Sequence, residues 1–326
     1  MTYAFAESKG KKFLEVHMDF VTVIQNVILG IVQGLTEFLP VSSSGHLTIA
    51  QHLMGMEEAG LFLDVMLHVG TLIAVIAFYH KLILRLIKAF GLLIKDIFTG
   101  KFKWSKMDGD RNLIVMLVIG LLPLFLLFIP IPGTDLKIKD LADLFAGKEF
   151  FIVVGISLLV TSSLLALGMF MTKRNSKGKH SQGGKNGRTK YNVLDAIVVG
   201  IGQCFAAVFP GLSRSGTTLA LGQSRGINKQ AALDYTFILG IPAIIAAAVL
   251  EVKDLDTSTL NSETIIAVLC GVIAAAVVGY FAIVLFKWLL KTDKMYVFVI
   301  YTAILGLAVI GISTYEMVTG NYVSFL

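Results

Sequence analysis

The sequence predicts an all-α protein that crosses a membrane several times and contains two copies of one unit. Hydrophobic residues make up 56% of the 326 residues and charged residues only 15%, whereas soluble domains contain about 25% charged residues. Six apolar runs are long enough to cross a bilayer. Residues 30–43 and 200–213 are variations on one peptide, with matching glycine, glutamine, proline and serine positions. Together, these observations exclude a soluble globular fold.

The six apolar runs are the predicted transmembrane helices, three in each half of the chain. They cover residues 61–79, 112–131, 150–171, 231–250, 264–288 and 296–315. The first unit is predicted at 18–172 and the second at 191–326. The basic, glycine-rich segment 173–190 is read as a flexible linker between them. Residues 1–17 lack the layout of a signal peptide and are interpreted as an N-terminal extension.

Loop charge predicts which side of the membrane each loop faces, because basic loops lie on the cytoplasmic side. Segments 80–111 and 172–190 and the short loop after Trp288 are rich in Lys and Arg. Segments 132–149 and 251–263 are instead rich in Asp and Glu. The five loops therefore alternate between inside and outside. The same bias accounts for the net charge of +6 without a nucleic-acid partner.

This alternation implies that neither of the two repeated peptides crosses the membrane. Residues 191–225 must enter from the cytoplasm and return there, and residues 19–54 must do the same from outside. Each is therefore predicted to be a re-entrant helical hairpin. Irregular backbone at membrane depth is tolerated only where protein or a wet cavity surrounds it. With three spans in each unit, the second copy is inverted, and such proteins place their sites where the copies meet.

Proline and serine predict how each hairpin turns. Pro40 and Pro210 end the first helix of each hairpin, because proline disfavours helix at the residue before it. The second helix then begins with a serine N-cap. The candidates are Ser42, Ser43 or Ser44 in the first hairpin and Ser213 or Ser215 in the second. Two helix N-termini are thus expected to meet near the bilayer centre, where their free N–H groups suit an anion such as phosphate.

Gln33 and Glu37 lie four residues apart and therefore share a helical face. A carboxylate at the bilayer centre costs roughly 2.5–3.5 kcal/mol, so a helix that carries one usually uses it. Glu37 could hold a divalent cation, Mg²⁺ or Ca²⁺, or act as a general base. The alternative is a purely structural partner for Arg214. No organic cofactor is expected.

The first hairpin carries three hydroxyls close to an imidazole, in Ser42, Ser43, Ser44 and His46. Such a combination suits nucleophilic or acid–base chemistry. The histidine could activate a hydroxyl, attack phosphorus itself or protonate a leaving oxygen. The alternative is a capping serine run beside a hydrogen-bonded histidine. Arg214 is predicted to bind phosphate, because arginine can donate two parallel hydrogen bonds to it. The alternative is that Arg214 only forms a salt bridge with Glu37.

The remaining polar positions are predicted to line the anion site or to support the helices. Gly211 and Gly216 allow close approach of the backbone to a ligand. The predicted substrate-binding residues are Gln33, Ser42, Ser44, Gly211, Ser213, Ser215 and Gly216. Asp64 and Asp234 match across the two copies and read as charges at helix N-termini. His68, one turn beyond Asp64, could support a residue of the site, although a structural role is favoured.

The segments from Gln33 to His46 and from Pro210 to Gly216 resemble the two signatures of the undecaprenyl-pyrophosphate phosphatase family, the bacitracin-resistance type. The resemblance extends from residue 18 to the C-terminus. It implies a multi-pass enzyme of the bacterial cell membrane that hydrolyses undecaprenyl pyrophosphate and opens to the extracytoplasmic face. It also implies catalytic roles for Glu37, His46 and Arg214, with Ser43 as the proposed nucleophile. Gln33 occupies a position often held by a second acid.

Other classes of protein share some of these features. Inverted repeats and broken helices that face an anion are also typical of transporters, so a polyprenyl-phosphate flippase is the second reading. The pair Ser43 and His46 favours the enzyme. A non-catalytic scaffold would gain nothing from a buried Glu37 and Arg214. The expected partners are the lipid substrate and the membrane, and a homodimer is an arrangement that the sequence leaves open.

Overall fold

The computed structural model describes residues 2–56, 60–104, 107–177, 187–254 and 262–323, and their regular structure is helical. Eleven α-helices are present in these ranges: α1 Thr2–Phe38, α2 Ser43–Leu53, α3 Gly60–Phe98, α4 Gly109–Leu121, α5 Leu141–Ala146, α6 Phe151–Lys177, α7 Val193–Val208, α8 Arg214–Ser224, α9 Lys229–Asp254, α10 Ser262–Lys291 and α11 Tyr296–Thr319. The prediction of an all-α, multi-pass membrane protein is confirmed.

Seven helices of the described ranges are long and apolar enough to cross a membrane, one more than predicted. They are Phe20–Phe38, Phe62–Phe98, Gly109–Phe128, Phe151–Arg174, Lys229–Leu250, Thr264–Lys291 and Tyr296–Thr319. The additional one, Phe20–Phe38, belongs to α1 and to the predicted first hairpin. Its counterpart in the second copy, α7, has only 16 residues, whereas a span needs about 20. The re-entrant path of both hairpins stays a prediction.

Several predicted boundaries differ from the observed ones. Helix α3 runs for 39 residues to Phe98, so most of the predicted basic loop 80–111 continues the helix. Pro123 cannot donate a backbone hydrogen bond, and there α4 gives way to a 3₁₀ helix, Leu122–Phe128. Helix α1 begins at Thr2 and passes through the predicted boundary of the N-terminal extension. Linker residues 178–186 and loop residues 255–261 lie outside the described ranges.

The first helix of each copy crosses the second span of the other copy at glycine. A Cβ added to Gly30 of α1 would lie 2.2 Å from the carbonyl oxygen of Gly271 in α10. A Cβ added to Gly200 of α7 would lie 2.4 Å from the carbonyl oxygen of Gly120 in α4. Small residues let helix backbones approach this closely inside a membrane. The same contact thus occurs twice, once with the first copy and once with the second copy supplying the hairpin helix.

The last spans of the two copies, α6 and α11, pack against each other reciprocally. A Cβ on Gly155 would lie 2.9 Å from the carbonyl oxygen of Gly306, and one on Gly306 would lie 2.8 Å from the carbonyl oxygen of Gly155. Contacts that map onto themselves in this way are those expected around a two-fold axis. The two polar hairpins lie where the two copies face each other.

Candidate active site

A serine caps the second helix of each hairpin in the same manner. The backbone N–H of Gly45 donates to Ser42 Oγ at 3.2 Å, and that of Gly216 donates to Ser213 Oγ at 3.0 Å. Of the capping serines left open by the sequence, Ser42 and Ser213 are the ones that the structure selects. Ser42 reaches this position with φ at 75°, an uncommon conformation for a residue other than glycine, and one that functional sites often contain.

The caps correct the alignment of the two copies by one residue. Counted from Pro40 and Pro210, the cap comes two residues later in the first copy and three later in the second. An alignment of the two repeats without a gap, which pairs Ser43 with Ser213, is therefore wrong across these loops. With the caps aligned, Ser43 and Arg214 are equivalent, because each is the first residue of its helix. The two copies thus place a hydroxyl and a guanidinium at corresponding helix starts.

The tip of each hairpin, residues 39–42 and 209–213, touches the first turn of the second helix of the other hairpin. Ser215 Oγ donates to the backbone oxygen of Leu39 at 3.1 Å. A Cβ on Gly45 would lie 2.8 Å from Gly211 Cα. Gly211 itself has φ at 91°, which favours glycine. Thr161 of α6 fixes the second tip, since its Oγ1 donates to the Gly211 oxygen at 3.0 Å.

Glu37 is the centre of the polar network between the tips. Its Oε1 accepts from Arg214 Nη2, and its Oε2 accepts from Ser43 Oγ at 2.6 Å and from Gln33 Nε2 at 3.1 Å. His68 Nε2 lies 3.4 Å from the same Oε2. The Glu37 side chain is only 4% exposed, and a buried carboxylate is tolerated when it is paired and hydrogen-bonded. Helices α1, α2, α3 and α8 therefore converge on one charge.

Arg214 pairs with Glu37 but retains capacity for a further anion. Its Nη1 donates to the backbone oxygen of Gly240 at 3.3 Å. A Cβ on Gly240 would lie 2.8 Å from Nη1, so this glycine leaves room for the guanidinium. The side chain is 27% exposed, and a guanidinium has five N–H donors. The salt bridge predicted as the competing reading is present, and it is compatible with phosphate recognition.

His46 is held between Ser42 and Tyr301. Its Nδ1 lies 2.7 Å from the Ser42 backbone oxygen, and its Nε2 lies 2.7 Å from Tyr301 Oη. A carbonyl oxygen only accepts, so Nδ1 carries the proton, and in the neutral ring Nε2 accepts from the tyrosine hydroxyl. His46 follows Ser43 by one helical turn, but the contacts described for its ring are with Ser42 and Tyr301 and not with Glu37.

Two residues that contact the site, His68 and Tyr301, were not predicted from the sequence as site residues. His68 was assigned a structural role, yet it faces Glu37 and also bonds through Nδ1 to the Asp64 backbone oxygen at 2.7 Å. A histidine inside an apolar span was the signal that could have identified it. Tyr301 carried no such signal, because a tyrosine near the end of a span is typical of the membrane interface.

Asp64 and Asp234 connect helices instead of serving only as helix-terminal charges. Asp64 lies near the start of α3, as predicted, and accepts from Gln51 of α2 at 2.7 Å. Asp234 lies near the start of α9 and accepts from Tyr79 of α3 at 2.7 Å. The predicted role as charges at helix N-termini is therefore incomplete, because it did not include these contacts with neighbouring helices. Both carboxylates fix the helices that follow the hairpins.

The described residues contain no group of three or more His, Cys, Asp or Glu side chains that could hold a metal ion. Glu37 contributes the carboxylate at the hairpin tips. Mg²⁺ in phosphate sites commonly uses one or two carboxylates and completes its coordination with phosphate oxygens and water. The donor set at the tips therefore fits a cation shared with a bound phosphate better than a resident metal centre.

The chain is similar to known proteins over most of its length. A family profile described as "Bacitracin resistance protein BacA" matches residues 26–308. An undecaprenyl-diphosphatase of Alkaliphilus metalliredigens is 39% identical over 291 residues, which cover 89% of this chain and 98% of the relative. One of Methanobrevibacter smithii is 39% identical, covering 88% of this chain and 96% of the relative. Undecaprenyl-diphosphatase 4 of Bacillus thuringiensis is 34% identical with the same two coverages.

The matched region begins within the first hairpin, at residue 26, and includes both tips and the network around Glu37. The resemblance that the two signatures indicated is thus confirmed across nearly the whole chain. The chain belongs to the bacitracin resistance protein BacA family.

Proposed function

We propose that this chain is an integral membrane undecaprenyl-diphosphatase, which releases the terminal phosphate of undecaprenyl diphosphate and leaves undecaprenyl phosphate. The observation that carries the proposal is the convergence of Ser43, Glu37 and Arg214 at the hairpin tips. A hydroxyl, a carboxylate that accepts its proton and a guanidinium for the phosphate are the groups that phosphoryl transfer to a side chain needs. The relatives that bear the undecaprenyl-diphosphatase name support the same assignment.

In the first step, Ser43 Oγ attacks the terminal phosphorus and its proton passes to Glu37 Oε2. The 2.6 Å hydrogen bond from Ser43 to Glu37 supports this direction of proton transfer. The bond between the terminal phosphorus and the bridging oxygen breaks, and undecaprenyl phosphate leaves. Arg214 and the N-terminal N–H groups of α2 and α8 stabilise the charge on the phosphoryl oxygens.

In the second step, water attacks the phosphoserine and releases inorganic phosphate. Glu37 gives its proton back to Ser43 Oγ, so the serine is regenerated. We assign His46 to accepting the proton of the attacking water, which would replace the Tyr301 hydroxyl as the partner of Nε2 on a ring one helical turn from Ser43. The other mechanism left open by the sequence, in which His46 attacks phosphorus, is disfavoured because the Ser43 hydroxyl, and not the His46 ring, is hydrogen-bonded to Glu37.

A divalent cation, Mg²⁺ or Ca²⁺, is part of the proposal, with Glu37 as the protein residue that would hold it. When bound together with the diphosphate, the cation would neutralise phosphate charge. Gln33, which stands beside Glu37 where a second acid would strengthen such a site, is neutral and already donates to Glu37. The cation is therefore expected to depend on the substrate for its remaining ligands.

The proposed location is the bacterial cell membrane, with the site open to the extracytoplasmic face. The alternation of basic and acidic loops supports this orientation. There the enzyme would recycle the lipid carrier of cell-wall synthesis and, by removing the diphosphate form, confer resistance to bacitracin. The predicted substrate-binding residues Gln33, Ser42, Ser44 and Gly211 belong to this proposal.

A phosphate-release assay tests the proposed function. Purified protein is incubated with undecaprenyl diphosphate and Mg²⁺, and inorganic phosphate is measured over time. We expect release by the wild-type chain and its loss in Ser43→Ala. A protein that moves the lipid across a vesicle bilayer but releases no phosphate would be a flippase, and the phosphatase assignment would then be wrong.

Tyr301→Phe is expected to lower kcat by about threefold to tenfold, because one neutral hydrogen bond contributes about 0.5–1.5 kcal/mol. The change removes the hydroxyl that bonds to His46 Nε2 and keeps the ring beside the imidazole. Tyr315→Phe is the matched control, since Tyr315 lies on the same helix and is 52% exposed. Equal rates for both variants would contradict a role for Tyr301 in positioning His46.

A further inference from the structure

A cavity of about 770 Å³ lies between α6 and α7, beside the hairpin tips. We call it the α6–α7 cavity. Its lining is apolar except for two hydroxyl-bearing residues, and it includes Val153, Ser157, Val160, Leu164, Phe205 and Thr217. A ligand pocket usually measures about 300–1,000 Å³. The cavity is therefore large enough for a substantial hydrocarbon group.

The α6–α7 cavity is continuous with the second hairpin tip. Leu212 lines the cavity and directly precedes the Ser213 cap. Ser157, on the α6 wall, lies 3.0 Å from the position of a Cβ on Gly211. Thr217 lines the cavity from the side of α8 that faces α7, since its Cγ2 lies 3.0 Å from the position of a Cβ on Gly202. Arg214 starts the same helix, so a molecule whose head group is held by Arg214 can reach this space past Gly211 and Leu212.

The cavity also opens at the lipid-facing surface of the protein. Ile156 and Phe205 belong to its lining and are 50% and 57% exposed. Both residues lie on apolar helices, so the surface around them faces hydrocarbon and not water. A long chain can therefore enter sideways from the bilayer and remain partly in it.

We infer that the α6–α7 cavity binds the polyprenyl chain of the substrate, with the isoprene units nearest the diphosphate lying between α6 and α7. The inference rests on the proposed function. It gives the enzyme a chain-binding site in addition to the phosphate site, in which the chain exchanges contacts with lipid tails for close packing against α6 and α7. The first units lie beside Ser157, and later units lie toward Leu164, two helical turns further along α6.

Leu164→Trp fills the end of the cavity that is distant from the head group. For undecaprenyl diphosphate, which has eleven isoprene units, we expect KM to rise about tenfold because favourable chain contacts are lost. For farnesyl diphosphate, which has three units and fills only the part nearest the tips, we expect kcat and KM to change by less than about twofold. Leu285→Trp is the matched control, because Leu285 is a 43% exposed leucine of α10 outside the cavity.

The comparison separates this inference from the proposed function. Phosphate release from farnesyl diphosphate by Leu164→Trp shows that the variant is folded and that the phosphate site works. If KM for the long substrate is unchanged, or changes equally in Leu285→Trp, the cavity holds a bilayer lipid or a second copy of the chain, and the inference is wrong. Equal losses on both substrates would also overturn it, because the site would then not distinguish chain length.

Discussion

Arg214→Ala is expected to reduce turnover by on the order of 10²–10⁴-fold, the loss typical of removing a donor that stabilises transition-state charge. Arg214 is the cation at the hairpin tips and reaches Glu37 and the Gly240 carbonyl from the first residue of α8. Alanine removes the donors for the phosphoryl oxygens and also leaves Glu37 with fewer partners. The measurement is the rate of phosphate release at saturating undecaprenyl diphosphate.

A matched control separates catalysis from folding. Arg225 caps the C-terminal end of the same helix and pairs with the buried Asp195 at 2.9 Å. Arg188 also pairs with that carboxylate, so Arg225→Ala removes an ion pair without leaving the carboxylate alone. We expect this control to retain most of the activity. The turnover of Arg214→Lys should lie between those of the wild type and Arg214→Ala, because lysine keeps the charge but not the bidentate geometry. Near-normal turnover in Arg214→Ala would refute the assigned role.

The convergence of Glu37 and Arg214 was predictable from the sequence for a physical reason. A charged side chain inside an apolar segment must find a partner or a wet cavity, and Glu37 and Arg214 lie on either side of the proline–serine turns of the two predicted hairpins. Because the two tips were expected to meet, these opposite charges had few partners other than each other. The serine caps followed from the same turn chemistry, although three candidates remained open until the structure selected Ser42.

The contacts that depend on distant helices could not be predicted from the sequence. Tyr301 reaches His46 across 255 positions of the chain, and no local pattern links a tyrosine of α11 to a histidine of α2. The one-residue difference between the hairpin tips is visible in the sequence, where Ser-Ser-Ser-Gly at 42–45 matches Ser-Arg-Ser-Gly at 213–216, but the equal spacing of Pro40 and Pro210 from the helices before them favoured an alignment without a gap. The hydrogen bonds of the caps confirm that Ser43 corresponds to Arg214.

The length of the first hairpin helix shows the same limit. Propensity and loop charge predicted where the hairpin turns, and α1 ends at Phe38 before Pro40. They did not predict that α1 would be a continuous helix of 37 residues. Crossing a bilayer requires only about 20 helical residues, and α1, which packs along α10 of the other copy, continues well beyond that length. The site was therefore easier to predict than the helix that carries it.

Glu37→Gln is expected to lower turnover by on the order of 10²–10⁴-fold, the contribution typical of a general base. The amide has nearly the same shape as the carboxylate but cannot take the proton of Ser43, and it no longer neutralises Arg214. Because the site stays filled, we expect the variant to remain folded in detergent. Thermal unfolding and phosphate release are measured on the same preparation.

Glu316→Gln is the control for the loss of a buried carboxylate. Glu316 of α11 is buried and bonds to His52 Nε2 at 2.8 Å, so its change tests stability without removing the base of the network. The double variant Glu37→Gln/Arg214→Ala should be hardly slower than the worse single variant, since residues that act as one unit are strongly non-additive. Independent, multiplying losses would mean that the carboxylate and the guanidinium act in separate steps. They would contradict a single phosphoryl-transfer site at the hairpin tips.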